Sequence, residues 1–168
     1  MNETAADLRT LQDLLDRSDA AAGPHLREII SPERRLTAED VSARLTGMCL
    51  LVLATVTADG RPLVGPVDGH FYRGAFYFGS SPDSVRIRHI RRRPQVSATY
   101  LPAEDLSVTV HGRATPLDMR AAENVGIRRV LLDEYTPRYG AEWEAFLDAN
   151  VYARIEADRM FTFHLPAP

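Results

Sequence analysis

The hydrophobic positions of the chain change their spacing near residue 47, and this change divides the sequence into two parts. Before that point, leucines recur at the three- and four-residue spacing of an amphipathic helix, which the pattern predicts over residues 4–19. These leucines are Leu8, Leu11, Leu14 and Leu15. After it, apolar residues form short runs or alternate with polar ones, as in β-strands. The pattern predicts an N-terminal helical extension (1–46) and a mainly β domain (47–168) that together form one structural unit.

Start and stop signals refine the helical extension. Thr4 followed by Asp7 three residues later is typical of a capping box at a helix start. A second helical stretch has two possible starts, Ser31-Pro32-Glu33 and the segment 37–40, and it should end at Gly47. We therefore expect at least two helices before the first strand.

The β domain is divided by turn signals and three helical segments. Asp59-Gly60 separates the first two predicted strands and favours a hairpin between them. Strands are predicted over 48–57, 63–72, 75–79, 95–101, 106–114, 151–156 and 160–164, and helices over 84–93, 118–135 and 140–148. Several short strands with turn signals favour a barrel over a doubly wound sheet.

Composition limits the classes of function. With 168 residues and 45% hydrophobic content, the chain is long enough for one domain with a substantial core. Its net charge of −3 argues against a nucleic-acid-binding protein. Cys49 is the only cysteine, so no internal disulfide can form, and the longest apolar run, 48–54, is too short to span a membrane. We expect a cytoplasmic protein.

Five arginines lie within residues 86–93, which is unusual in an acidic chain. Asp83 or Ser84 stands where a helix N-cap is expected, and the free N–H groups of a first helical turn attract anions. Arg86 is close enough to Ser84 to close a fork on one phosphate group. The predicted anion site comprises Ser80, Ser81, Ser84, Arg86 and Arg88. A solvated helix face is the alternative for Arg88 and for Arg91, Arg92 and Arg93.

Four segments in order resemble a known family: ATVTADGRPLVGPV, FYFGSS, SVRIRHIRRRPQVSA and VTVHGRATPL. Together they are similar to the pyridoxamine 5'-phosphate oxidase-like FMN-binding split-barrel family, and the later YARIEADRMFTFH is consistent with its final strands. The resemblance implies an α+β fold, mainly β: a six-stranded split β-barrel with flanking helices. It also implies a homodimer with two cofactors in clefts between the subunits.

The resemblance further implies which residues hold the flavin. The family's hydroxyl residue and Ser-x-Lys on the phosphate match Ser80, Ser84 and Arg86, and its basic residue late in the second strand matches His70. An arginine earlier in that strand is replaced by Gly65. The backbone of Pro66, Val67 and Asp68 would edge the ring, and Ser107 would reach the flavin of the partner subunit.

The resemblance predicts an oxidoreductase that transfers hydride between FMN and a small molecule, with no catalytic side chain identified. Pyridoxamine phosphate is not the expected substrate, because the family's C-terminal Arg-Leu-x-Pro is replaced by MFTFHLPAP. A deazaflavin coenzyme (F-420) is an alternative cofactor, since its oligoglutamate tail would use the remaining arginines. A non-catalytic flavin- or haem-binding protein, with haem on His70 or His164, is the alternative of another class.

Four other features could carry chemistry. The five histidines are scattered and include no HExxH, so no metal site is predicted. Cys49 lies in an apolar strand and is expected to be a buried thiol. Asp68 could tune the flavin or be a turn residue before Gly69. The aromatic residues Tyr135, Tyr139 and Trp143 are expected to pack late helices on the barrel, or to form a lid over the cofactor cleft.

Overall fold

The computed structural model describes residues 2–165, which form six helices and six strands. The helices are α1 (Ala5–Ala20), α2 (Pro24–Ile29), α3 (Ala38–Arg44), α4 (Val85–Arg92), α5 (Val125–Tyr139) and α6 (Trp143–Ala149), with 3-10 turns at Pro32–Arg34 and Ala122–Asn124. The strands are β1 (Met48–Val56), β2 (Pro62–Tyr72), β3 (Ala75–Ser80), β4 (Gln95–Ala103), β5 (Leu106–Leu117) and β6 (Val151–His164).

The strands close into one antiparallel barrel in the order β1-β2-β3-β6-β5-β4. Alternate residues point inward, so Leu51 and Leu53 of β1 meet Phe76 and Phe78 of β3 in a fully buried core. The predicted β1–β2 hairpin is confirmed, with Val56 opposite Pro62 at its turn. The six-stranded α+β barrel expected from the sequence is therefore confirmed.

The two closing strands predicted around Asp158 are in fact one strand, β6. It pairs with β5 along its whole length, and the register shifts where His111 opposes Arg159 and Gly112 opposes Ala157. Asp158 is thus the extra residue of a β-bulge rather than part of a turn. A Cβ at Gly112 would collide with the Glu156 carbonyl oxygen, which explains why the close approach at the bulge needs glycine.

The helix predicted over 118–135 begins and ends later than expected. Asp118 Oδ1 accepts a hydrogen bond from the Arg120 N–H, which makes a turn, and α5 begins only at Val125. The helix then continues through Pro137 to Tyr139, ending at Gly140 with φ 84°. Between α1 and the predicted second helical stretch, the structure contains a further short helix, α2, which begins at Pro24.

The N-terminal extension lies against β6. The buried Ser18 Oγ accepts a hydrogen bond from the Met160 N–H at 2.9 Å and donates one to the Leu14 carbonyl at 2.7 Å. Thr162 Oγ1 likewise accepts from the Leu36 N–H at 2.9 Å. Within one chain, the N-terminal extension therefore covers the barrel wall at β6.

We expect Ser18→Ala to lower the free energy of unfolding by about 1–3 kcal/mol, because the buried Met160 N–H would lose its acceptor. Chemical denaturation followed by circular dichroism would measure the loss. Thr10→Ala, which removes an exposed hydroxyl bonded to a carbonyl of the same helix, is the control and should cost less than about 0.5 kcal/mol. Equal stabilities of the two variants would show that the Ser18 bridge contributes nothing.

Candidate functional site

A pocket of about 650 Å³ lies on the outer side of β2 and β3, under α5 and α6. Val67 and Phe71 of β2 face the barrel interior, so Asp68 and His70 face outward. The pocket is lined by Asp68, His70, Gly79, Ser80, Ser81, Leu131, Tyr135, Tyr139, Glu142, Trp143, Phe146, Asn150 and Tyr152. Four of the predicted site residues, Asp68, His70, Ser80 and Ser81, therefore meet at one pocket.

The predicted anion site begins at the end of this pocket. Ser80 Oγ donates a hydrogen bond to Ser84 Oγ at 3.0 Å, and Ser84 caps α4 by accepting from the Ile87 N–H at 3.2 Å. Arg86 Nη1 lies 3.5 Å from Ser80 Oγ, while its Nη2 donates to the Pro66 carbonyl at 2.9 Å. We call Ser80, Ser84 and Arg86 the hydroxyl-arginine cradle.

The charge of Arg86 is not compensated within the part of the chain that is described. Its guanidinium is partly buried and forms no ion pair there, and desolvation lowers its pKa. A Cβ added to Gly65 would lie 3.4 Å from Arg86 Nη2, so the guanidinium occupies the space beside that glycine. A partly desolvated cation without a carboxylate is the arrangement of a site that receives an anion.

The remaining predicted residues lie in different places. Val67 belongs to the barrel core, so only its backbone could meet a ligand, whereas Pro66 is exposed. Arg88 is exposed and turns toward the Asp83 carbonyl. Ser107 lies opposite Phe163 in the β5–β6 pair and does not line the pocket.

His70 is only 3% exposed, and its Nε2 has no hydrogen-bond partner among the described residues. Its ring meets Tyr135 edge-on, with centroids 5.4 Å apart. Burial lowers the pKa of His70, and the nearby carboxylates of Glu134 and Asp68 oppose that effect. The imidazole is therefore neutral at pH 7 and does not supply the positive charge implied for this position.

Four aromatic rings of α5 and α6 form the wall of the pocket. Trp143 stacks on Tyr135, with ring centroids 4.6 Å apart and an angle of 21° between the ring planes. The Tyr139 ring lies 6.1 Å from that of Tyr135, and the Phe146 ring lies 6.1 Å from that of Trp143. We call these four residues the aromatic wall. Tyr135 and Trp143 are buried and pack the helices on the barrel, as one interpretation predicted, while Tyr139 and Phe146 stand exposed at the mouth.

Asp68 is held by this wall, because Tyr135 Oη donates a hydrogen bond to its Oδ2 at 3.3 Å. Burial and the Asp68 carboxylate raise the pKa of Tyr135, which keeps the hydroxyl protonated as a donor. Sequence reasoning missed Glu142, Phe146, Asn150 and Tyr152. The spacing of Trp143 and Phe146, one helical turn apart, is the signal that could have extended the predicted patch.

Other candidates fall outside this site. Cys49 is fully buried, and desolvation raises the pKa of its thiol to about 11, as expected for a structural cysteine. In residues 2–165, no group of three or more His, Cys, Asp or Glu side chains is placed to hold a metal ion. None of the described helices combines the length and apolarity needed to cross a membrane. The terminal residues of MFTFHLPAP, 166–168, lie outside the described part.

A closed six-stranded antiparallel barrel with flanking helices defines a split-barrel protein. Residues 37–160 match the sequence profile of the pyridoxamine 5'-phosphate oxidase family, which covers more than half of the chain. The chain belongs to this family, as its sequence segments indicated. No match is found among curated proteins.

Solved structures share the fold at low sequence identity. A conserved hypothetical protein from Mycobacterium tuberculosis is 21% identical with a TM-score of 0.63, over 82% of this chain and 93% of that one. A FAD-binding protein from Mesorhizobium loti is 24% identical with a TM-score of 0.58, over 79% and 98%. The haem storage protein HutZ from Vibrio cholerae is 19% identical with a TM-score of 0.57, over 80% and 94%. The structural neighbours thus include a flavin-binding and a haem-binding protein.

Proposed function

We propose that the protein binds FMN and transfers hydride between this flavin and a small organic molecule. The observation that carries the proposal is the hydroxyl-arginine cradle at the start of α4. Its two hydroxyls and its unpaired guanidinium offer the hydrogen-bond donors that a phosphate group requires. The N–H groups of Val85 and Arg86 precede the first intrahelical backbone hydrogen bond of α4, from Arg88 to Ser84, and would add two further donors for the same anion.

The cradle and the pocket share Ser80, so a cofactor whose phosphate lies in the cradle would place its ring beside the pocket. The exposed backbone of β2 near Pro66 and Asp68 would border the ring. When bound, the flavin supplies the hydride chemistry at its ring N5. The chain's own residues would anchor the phosphate, orient the ring against β2 and exclude water through the aromatic wall.

The proposal includes a homodimer in the cytoplasm. β1 is apolar on both sides: its inward residues fill the barrel, and its outward residues Leu50 and Val52 are exposed. The exposed side continues onto Val64 of β2 and Leu101 of β4. We call these four residues the apolar face. A strand with two apolar sides is normally covered on both, and a second copy of the chain is the partner we propose.

The apolar face also borders the proposed ring site. In the β1–β2 pair, Leu50 lies opposite Asp68 and Val52 opposite Pro66, and all four side chains are on the outer side of the barrel. A second copy that packs on this face would therefore cover the flavin site beside Pro66 and Asp68. Ser107 remains the residue expected to reach the partner subunit's flavin.

A deazaflavin coenzyme is the second candidate cofactor. Arg91 and Arg92 of α4 are exposed and form no ion pair within residues 2–165, so they are free to meet an anionic tail. A non-catalytic flavin- or haem-binding protein is the third. Its support is the unpartnered Nε2 of His70, an atom type that haem iron binds.

The absorption spectrum of the purified protein, followed by titration with FMN, the deazaflavin coenzyme and haem, tests these candidates together. We expect a flavin band, or binding of FMN with a dissociation constant below about 1 μM, which corresponds to a binding free energy of about −8 kcal/mol or stronger. Tighter binding of the deazaflavin than of FMN would show that the deazaflavin is the cofactor. Preferential binding of haem, without flavin binding, would refute the oxidoreductase proposal.

A further inference from the structure

The charge of the pocket differs from that of the cradle at its end. None of the lining residues is an arginine, and two of them, Asp68 and Glu142, are carboxylates. Neither carboxylate forms an ion pair with a basic side chain within residues 2–165. With His70 neutral, the pocket is a site of negative charge. A phosphate or carboxylate group of a ligand would be repelled from it.

The aromatic wall adds a second feature that favours positive charge. The faces of aromatic rings are negative, and tryptophan is the strongest of them toward a cation. Trp143, Tyr139 and Phe146 line the pocket together, and the exposed rings of Tyr139 and Phe146 stand at its mouth on either side of the Glu142 segment. Rings and carboxylates around one cavity are the arrangement that recognises organic ammonium groups.

His70 contributes a buried ring nitrogen to the lining of the same pocket. Among the described residues, two buried side-chain atoms lack a hydrogen-bond partner, Ser42 Oγ and His70 Nε2. Of these two residues, His70 lines the pocket. A buried polar atom that lacks a hydrogen bond is costly, and Nε2 accepts one from an N–H group in the imidazole tautomer that carries its proton on Nδ1. A ligand with an amino group would therefore satisfy an atom that the chain leaves unsatisfied.

We propose that this pocket binds an organic cation, namely an aromatic ring that carries a protonated amino group. The volume of about 650 Å³ suits a ligand of that size. The role of this cation as the substrate rests on the flavin function proposed above, whereas its binding does not. Pyridoxamine phosphate would fit poorly, since its phosphate would face Asp68 and Glu142.

The single tryptophan of the chain makes the test direct, because all tryptophan fluorescence comes from Trp143 in the pocket wall. The full-length protein would be titrated with benzylammonium, with phenylmethanesulfonate as an anion of similar size, and with benzyl alcohol as a neutral probe. Calorimetry with the same probes would detect binding that leaves fluorescence unchanged. We expect the cation to bind at least about tenfold more tightly than the anion, with a preference that decreases as salt increases.

Glu142→Gln should weaken binding of the cation by about fivefold and leave benzyl alcohol unaffected, since only the charge is removed. Glu123→Gln is the matched control, because Glu123 is exposed and does not line the pocket, and it should change nothing. Equal affinity for the cation and the anion, or an unchanged cation affinity in Glu142→Gln, would overturn the proposal.

A parallel FMN titration of the same samples separates this inference from the proposed function. Loss of cation selectivity with FMN binding intact would refute the ligand class alone. Cation selectivity in a protein that does not bind FMN would refute the flavin function and leave the pocket's ligand class standing.

Discussion

Arg86→Ala is expected to weaken FMN binding by about 10- to 150-fold. The Arg86 guanidinium lies between Ser80 Oγ and the Pro66 carbonyl and lacks a carboxylate partner in the described residues, so a bound phosphate would be its counter-ion. Hydrogen bonds to charged groups contribute about 1.5–3 kcal/mol each, and 1.4 kcal/mol corresponds to a factor of ten in affinity. Quenching of FMN fluorescence on titration would give the dissociation constants.

Two further variants make the Arg86 test specific. Arg92→Ala removes an exposed arginine from the same helix and should bind FMN as the parent does. Arg86→Lys keeps the charge but loses the planar fork, and its affinity should fall between those of the parent and the alanine variant. Circular dichroism would check that all three variants are folded. Undiminished FMN binding by a folded Arg86→Ala protein would show that the phosphate lies elsewhere.

Val52→Asp is expected to convert the protein to a monomer and to weaken FMN binding with it. Val52 is 47% exposed in the middle of the apolar face, and a carboxylate there would be buried without a partner in each copy of a dimer. The cost of several kcal/mol raises the dimer dissociation constant by at least about 100-fold. Sedimentation analysis over a range of protein concentrations, with and without FMN, would measure both effects.

Val125→Asp is the matched control for the dimer experiment. Val125 is 66% exposed, more than Val52, but it begins α5 and is not part of the apolar face. An aspartate at a helix N-terminus is well tolerated, so this variant should keep the mass and the FMN affinity of the parent. A parent protein that is monomeric at tens of micromolar would rule out the dimer, and a dimeric Val52→Asp would place the interface elsewhere.

The parts of the fold that depend on short-range interactions could be predicted from the sequence. Thr4 with Asp7 and Thr37 with Asp40 each form a capping box within four residues, and both helices begin where these pairs indicate. The β1–β2 hairpin follows from its turn residues in the same way. The N-cap of α4 was narrowed to Asp83 or Ser84 in the same way, because a cap needs only its own first turn, and the structure shows that it is Ser84.

The parts that depend on distant segments could not be predicted. Asp158 resembles a turn residue until β5 pairs on both sides of it, so the bulge is a property of two strands. Arg86 reaches a carbonyl 20 residues away in the chain, at Pro66, and no local pattern indicates that contact. The pocket likewise combines β2, β3, α5, α6 and the start of β6. Its negative charge depends on Asp68 and Glu142 lining the same cavity, although they lie far apart in the sequence.

Closure of the barrel limits how copies of this chain can associate. Every strand from β1 to β6 has a neighbour on each side over at least part of its length, so a strand from another chain could pair only with a segment left open, such as 62–68 of β2 beyond the end of β3. The contact proposed here uses side-chain surfaces instead. When a single apolar patch packs against its own copy across a two-fold axis, both patches are buried and none is left exposed for a third chain. Assembly through the apolar face would therefore be self-terminating at two chains, whatever the protein concentration.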